Sequence, residues 1–301
     1  MRRTLTLPAV AAALALSLAA CGGDSDSSEA SGESTQAGTQ GFDVSSVEEN
    51  AEVSDLVPDA VAETGTLTVG SNIYYAPAEF YAEDGKTPIG YDVDMMKALA
   101  ATMGLDLDLQ NAEFAAILPG IPAKYDIGIA NISINKERQE NFNMIEYFTV
   151  GSSWAVQTGN PEEFDPADFC GKSVGVQTGT VQDEELAEAA EECSEKPDIQ
   201  RYSEHSAAVT ALVGGKVVAM YSDSSVTDYA ISQTSGQLEQ VGEVTGQTPM
   251  GIVVSKDDDE MTTAVQAALQ SLMDDGTLAD IFAEWGVTDG VSTEAVINPV
   301  K

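Results

Sequence analysis

Positive charge is what this 301-residue chain has least of: 13 Lys and Arg face 50 Asp and Glu, for a formal net charge of −37. A field of that sign repels nucleic acid and anionic lipid head groups, so nucleic-acid binding is excluded. Histidine occurs once, as His205, and cysteine three times. That is a poor set for zinc, and it leaves an acid–base enzyme with one imidazole and no visible partner for it. No Gly-x-x-x-x-Gly-Lys-Ser/Thr loop is present to cradle a nucleotide phosphate. After residue 20 no apolar run approaches the roughly 18 residues that a membrane span needs. No cofactor and no metal are expected.

What the chain does have begins with a targeting segment. Arg2 and Arg3 precede a mostly apolar stretch from Leu5 to Leu18, interrupted by Pro8 and closed by Leu18-Ala-Ala-Cys21. Residues 1–20 read as a signal peptide. Its end, followed by Gly22, resembles the lipobox of bacterial lipoproteins, which implies a lipid on Cys21 and a place on the extracytoplasmic face of the cell membrane. Residues 21–63 are rich in Ser, Gly, Glu and Gln and read as a flexible tether. The other two cysteines, Cys170 and Cys193, are most simply a disulfide in an exported chain, with metal binding as the weaker alternative.

The folded part starts near Thr66, where Leu67-Thr-Val-Gly70 reads as a buried strand. Tyr91 to Met103 places Val93, Met96, Leu99, Ala100 and Met103 on one helical face. Strands over Leu105–Leu109 and Tyr125–Ile132 flank a short helix over Phe114–Ile121. A second alternating series runs from Ser173 to Gln233, then a strand over Gly251–Val254 and helices over Glu260–Asp274 and Leu278–Trp285. Alternation of this kind predicts α/β lobes built on parallel strands.

Beyond residue 20 the only arginines are Arg138 and Arg201. Arg138 follows the turn Asn131-Ile-Ser-Ile-Asn135. The plain reading is an exposed helix residue paired with Glu137 or Glu140; the functional reading is a receptor for a carboxylate. Arg201 has no assigned role, and its loss is expected to matter little.

Short motifs occur in a fixed order: Gly65-Thr-Leu-Thr-Val-Gly70, Tyr75-Ala-Pro-Ala-Glu-Phe80, Gly90-Tyr-Asp-Val-Asp94, Lys124-Tyr-Asp126, Ile132 to Arg138, Gly171-Lys-Ser-Val-Gly175 with Gly179-Thr180, Ser222-Asp223, and Asp275-Gly-Thr277. Together they resemble the family 3 extracellular solute-binding proteins, the polar amino-acid receptors of ABC importers, in a lipoprotein branch common in actinobacteria. The resemblance implies a two-lobed periplasmic-binding-protein (type II) fold. Its two α/β lobes are joined by two hinge strands, near Val150–Val156 and Gly246–Ile252, with the first lobe discontinuous (64–150 and 250–301) and the second over 151–249. It implies a monomer, a ligand-binding cleft, and partners in an ABC permease and its ATPase.

Carried over position by position, the resemblance gives Arg138 and the N–H of Ser133 and Thr180 to the ligand's carboxylate. Asp223 goes to its ammonium, with Asn131 in support, and Tyr75 and Phe114 flank its aliphatic part. Asn72 stands where receptors for basic amino acids commonly carry an aspartate, so a neutral polar ligand such as glutamine is preferred. Gln177 and Gln182 are candidates for its amide. Two alternatives stand beside transport: an enzyme on the same scaffold, similar to cyclohexadienyl or arogenate dehydratases, and a non-transport amino-acid sensor.

Overall fold

Two long antiparallel strands, Phe142–Gln157 and Leu238–Ser255, organise the molecule. They stand at the centre of an eight-stranded sheet in the order Asp106–Asn111, Thr66–Ser71, Ile127–Gly128, Leu238–Ser255, Phe142–Gln157, Ala219–Asp223, Ser173–Gln177, Asp198–Tyr202. The three strands on each flank run parallel to one another. Helices connect these parallel strands, as such crossovers require. The computed structural model describes residues 41–301. The signal peptide, Cys21 and the first part of the expected tether lie outside the described residues.

One apolar core draws on both ends of the chain: Leu67, Val69, Met96 and Leu99 pack with Ile252, Val265, Leu269 and Phe282. Smaller cores, around Trp154, Val174 and Leu186 and around Ala208, Leu212 and Met220, fill the other end of the sheet. Helix Tyr91–Thr102 is buried almost all round rather than along one face. The reason is its cover, since helices Asp259–Asp274 and Thr277–Glu284 lie over it and Tyr91 stacks on Phe282 at 4.6 Å.

Three expectations need correction. The tether does not extend to residue 63: Val44–Ser46, Ala51–Ser54 and Asp59–Thr64 are short helices. Val53 and Val57 are buried in the first core, and Asn50 donates from its backbone to Thr102 at 3.0 Å. Apolar residues too sparse to colour the local composition land on a core already built by the rest of the chain. Next, the strand expected over Tyr125–Ile132 shortens to Ile127–Gly128, because Asn131 turns into the left-handed region at φ 46°. Finally, the strand over Gly251–Val254 is only the end of Leu238–Ser255, and the hinge crossings expected near Val150–Val156 and Gly246–Ile252 fall within strands much longer than those spans, Phe142–Gln157 and Leu238–Ser255.

Cys170 and Cys193 form a disulfide. Their separation of 23 residues gives the crosslink about 3 kcal/mol through the freedom it removes from the unfolded chain. Replacing both with serine is therefore expected to lower stability by about that amount in a denaturant titration, with ligand affinity unchanged. An unmoved midpoint would contradict it. Among the described residues no helix is long and apolar enough to cross a membrane.

Candidate ligand-binding site

Arg138 lies in the first turn of the short helix Lys136–Asn141, whose N-cap Asn135 accepts the Arg138 backbone N–H at 2.8 Å. The cap turns the side chain inward, where only 8% of the residue is exposed. Its Nη1 donates to the Ser133 carbonyl at 2.9 Å and its Nη2 to the Gly179 carbonyl at 3.1 Å, while the ring of Phe114 lies 5.9 Å from the guanidinium carbon. Among the described residues no carboxylate pairs with it, so the plain reading as an exposed ion pair with Glu137 or Glu140 does not hold. Burial lowers the guanidinium pKa, opposed by the fields of Glu184, Asp223 and Glu137.

Asp223 ends strand Ala219–Asp223 and occupies the N-cap position of helix Ser224–Gln233, yet its side chain makes no capping bond. The carboxylate turns into the cleft and accepts from Tyr75 Oη at 2.7 Å, Asn131 Nδ2 at 2.9 Å and Gln182 Nε2 at 2.8 Å. Burial raises its pKa; the donors and the charge of Arg138 oppose that rise. Gln182 also donates to Ser152 Oγ at 2.8 Å, fixing the amide from the hinge side.

Thr180 caps helix Val181–Ala190 by accepting from Asp183 N–H at 3.2 Å. The Gly179 N–H donates to Asp183 Oδ2 at 3.1 Å, and Arg201 Nε donates to Asp183 Oδ1 at 2.7 Å. Arg201 is thus tied, through Asp183, to the turn that Arg138 touches. Its own bond is half-exposed, so it braces that loop from the solvent side.

At the far end of the cleft Gln177 Nε2 donates to Asn72 Oδ1 at 2.9 Å, and Asn72 Nδ2 donates to the Ala112 carbonyl at 2.8 Å. Tyr75 meets His205 edge to face at 5.0 Å. Burial pushes the imidazole pKa down to about 4, so it is neutral at physiological pH. The structure thus links Asn72, Tyr75, Phe114, Asn131, Ser133, Arg138, Thr180 and Asp223 through one connected set of contacts, joined by Gln177 and Gln182, which are both buried. Asp183 and Ser152 were missed; an acid three residues after a Thr cap is the pattern that marks the first. A cavity of about 760 Å³ lies elsewhere, beside Phe80, Tyr229 and Trp285, and none of these site residues lines it.

The model of the bacterial extracellular solute-binding proteins, family 3, matches residues 67–288. The chain belongs to this family. Among its relatives, the arginine-binding protein ArgT of Corynebacterium glutamicum is 36% identical over 253 residues, covering 82% of this chain and 83% of that one. An ancestral arginine-binding protein, solved bound to glutamine, superposes with a TM-score of 0.68 at 29% identity, covering 73% of this chain and 97% of that one. So does an ancestral amino acid-binding protein described as a precursor of cyclohexadienyl dehydratase, with a TM-score of 0.68, 27% identity, and coverage of 75% and 98%. These family 3 relatives are binding proteins rather than enzymes, and their two-lobed fold is that of the present chain.

Proposed function

We propose that the protein is a lipid-anchored receptor on the extracytoplasmic face of the membrane, which captures a polar amino acid between two lobes and delivers it to an ABC permease for import. The observation that carries this reading is a pair of opposite charges, Arg138 and Asp223, both buried and neither held by a salt bridge among the described residues. Burying such groups without opposite charge costs several kcal/mol each. A zwitterionic amino acid supplies the two missing partners at once.

In this reading the ligand carboxylate takes the Arg138 guanidinium and the N–H groups of Ser133 and Thr180. Its ammonium takes Asp223, supported by Asn131, and its aliphatic part lies between Tyr75 and Phe114. The lobes are residues 64–150 with 250–301, and 151–249. Tyr75, Asn131, Asn72 and Arg138 each bond across to the second lobe, so closure is favoured by contacts that exist only when the lobes meet. The Leu18-Ala-Ala-Cys21 motif supports the anchor on Cys21, and the protein acts as a monomer without turnover.

A neutral ligand such as glutamine suits the far end of the cleft, where among the described residues the amides of Asn72 and Gln177 bond only to each other and to backbone carbonyls, and His205 adds a neutral imidazole. Arginine is the second reading, favoured by the 36% identity to an arginine-binding protein. A thermal-shift screen of the chain from Gly22 onward against the twenty amino acids decides between them. Ligand at a hundredfold excess over Kd adds about 2.7 kcal/mol of stability. A screen in which none of them raises the melting temperature would sink the proposal. Asn72→Asp is expected to shift the profile toward basic ligands, and an unchanged profile would remove Asn72 from the side-chain pocket.

A further inference from the structure

Glu79 and Asp92 take no part in the ligand contacts described above, yet both are completely buried behind them. The chain brings them together by docking one loop on a helix start: the N–H groups of Tyr91 and Asp92 donate to the carbonyls of Pro77 and Ala78 at 3.1 and 2.9 Å. Gly90 permits this approach, since at φ 130° any Cβ there would collide with the Ala78 carbonyl. The docked loop thus sets Glu79 beside the helix start that carries Asp92, with both carboxyl groups shut away from water and the charge of Asp92 felt at Glu79. Among the described residues, neither oxygen of Glu79 nor Oδ1 of Asp92 meets another donor. Asp92 Oδ2, by contrast, accepts from the Asn131 N–H at 2.9 Å and from Tyr147 Oη at 3.0 Å. Two ionised carboxylates so close and so dry repel, whereas one proton between them makes a charged hydrogen bond.

We propose that Glu79 and Asp92 share a single proton, donated by Glu79, and that the ionised Asp92 positions Asn131 for the ammonium subsite at Asp223. Asn131 sits at φ 46°, a left-handed conformation that Asn tolerates better than most residues. Asp92 holds its N–H, and Tyr91 Oη donates to its Oδ1 at 3.3 Å. Its Nδ2 is thereby aimed at Asp223. Burial first, and the neighbouring Asp92 second, push Glu79 well above the usual carboxyl range. Asp92 rises only to about 6, because Asn131, Tyr147 and Glu79 donate to it. The other groups around the pair are Tyr91, Tyr147 and Asp223, with Tyr75 and Arg138 beyond. Asp94, on the same helix as Asp92, is engaged elsewhere, by Lys97, Trp285 and the Phe42 N–H.

The inference rests on the amino-acid site proposed above, so its test has a readout that needs no ligand. Infrared spectra of the protein at neutral pH are expected to show the carbonyl stretch of a protonated carboxyl in the parent, lost in Glu79→Gln and in Glu79→Leu. A parent without that band, or a band that persists in both variants, overturns the shared proton. Calorimetry with the amino acid found by thermal shift tests positioning. Glu79→Leu, which donates nothing to Asp92, is expected to bind about tenfold more weakly than Glu79→Gln, which still donates an N–H. Equal affinities would overturn the positioning role, since both variants replace a neutral carboxyl with an uncharged side chain and differ in the donor they offer Asp92. Should no amino acid bind the parent, the positioning role falls with the receptor reading, and the infrared result still decides the proton.

Discussion

Replacing Arg138 with alanine is expected to abolish amino-acid binding while the fold survives. Among the described residues Arg138 is the one buried cation. Truncating one partner of a buried, hydrogen-bonded charge pair costs about 2–5 kcal/mol, or about 30- to 5,000-fold in Kd. The fold survives because the guanidinium bonds only to the carbonyls of Ser133 and Gly179 and carries no structural ion pair. Arg201→Ala is a graded control. Its half-exposed bond to Asp183 braces the Gly179 turn from outside, and its loss is expected to cost at most about 1 kcal/mol, roughly fivefold. Calorimetry giving Arg138→Ala the parent's affinity, with an unchanged circular dichroism spectrum, would end the assignment of Arg138 to the carboxylate.

Asp223→Asn is expected to separate binding from stability, moving them in opposite directions. The ligand ammonium loses its counter-charge, and affinity falls by about 100-fold or more. The unliganded protein becomes more stable. Burial raises the Asp223 pKa, so the folded state holds that proton more tightly than the unfolded chain does. The resulting contribution to stability is present at low pH and is lost as pH rises through the raised value. At neutral pH a neutral amide removes the penalty of the buried charge and gains about 1 kcal/mol, about 2–4 °C in Tm. Melting curves at neutral pH, with and without ligand, check both halves. A variant that binds as the parent does, or melts lower without ligand, would contradict the account.

Arg138 was legible because a solitary arginine after a Ser/Asn turn is rare in so acidic a chain, and Asp223 because Ser222-Asp223 matches the acidic position of the family that the chain resembles. The alternating series from Ser173 to Gln233 was legible from periodicity: strand Ser173–Gln177 opens it and helix Ser224–Gln233 closes it at the residues expected. Other parts depend on tertiary context. Gln182 sits among the acids of an amphipathic helix and looks like surface until the lobes enclose it. Glu79 and Asp92 are ordinary acids in their own segments and become a pair only when loop 77–79 docks on the helix start. Phe142–Gln157 contains Gly151-Ser-Ser153, which weakens it as an isolated strand; pairing with Leu238–Ser255 overrides that weakness. The helices before Thr66 escaped notice because their few valines make a face only against a finished core.

On the receptor reading proposed above, the paired strands Phe142–Gln157 and Leu238–Ser255 are also the ribbon about which the cleft opens. Their ladder is unbroken at both ends and slips in register between Val241 and Thr245, between Thr245 and Thr248, and between Met250 and Gly251. A ribbon interrupted at its middle behaves as a leaf spring with a thinned waist, stiff within each jaw and compliant across one axis. The direction of travel is therefore written into the ribbon, and the cleft residues choose only where along that travel the jaws come to rest. Changing the ligand means recutting the jaws; the same spring serves any small zwitterion they are shaped to hold.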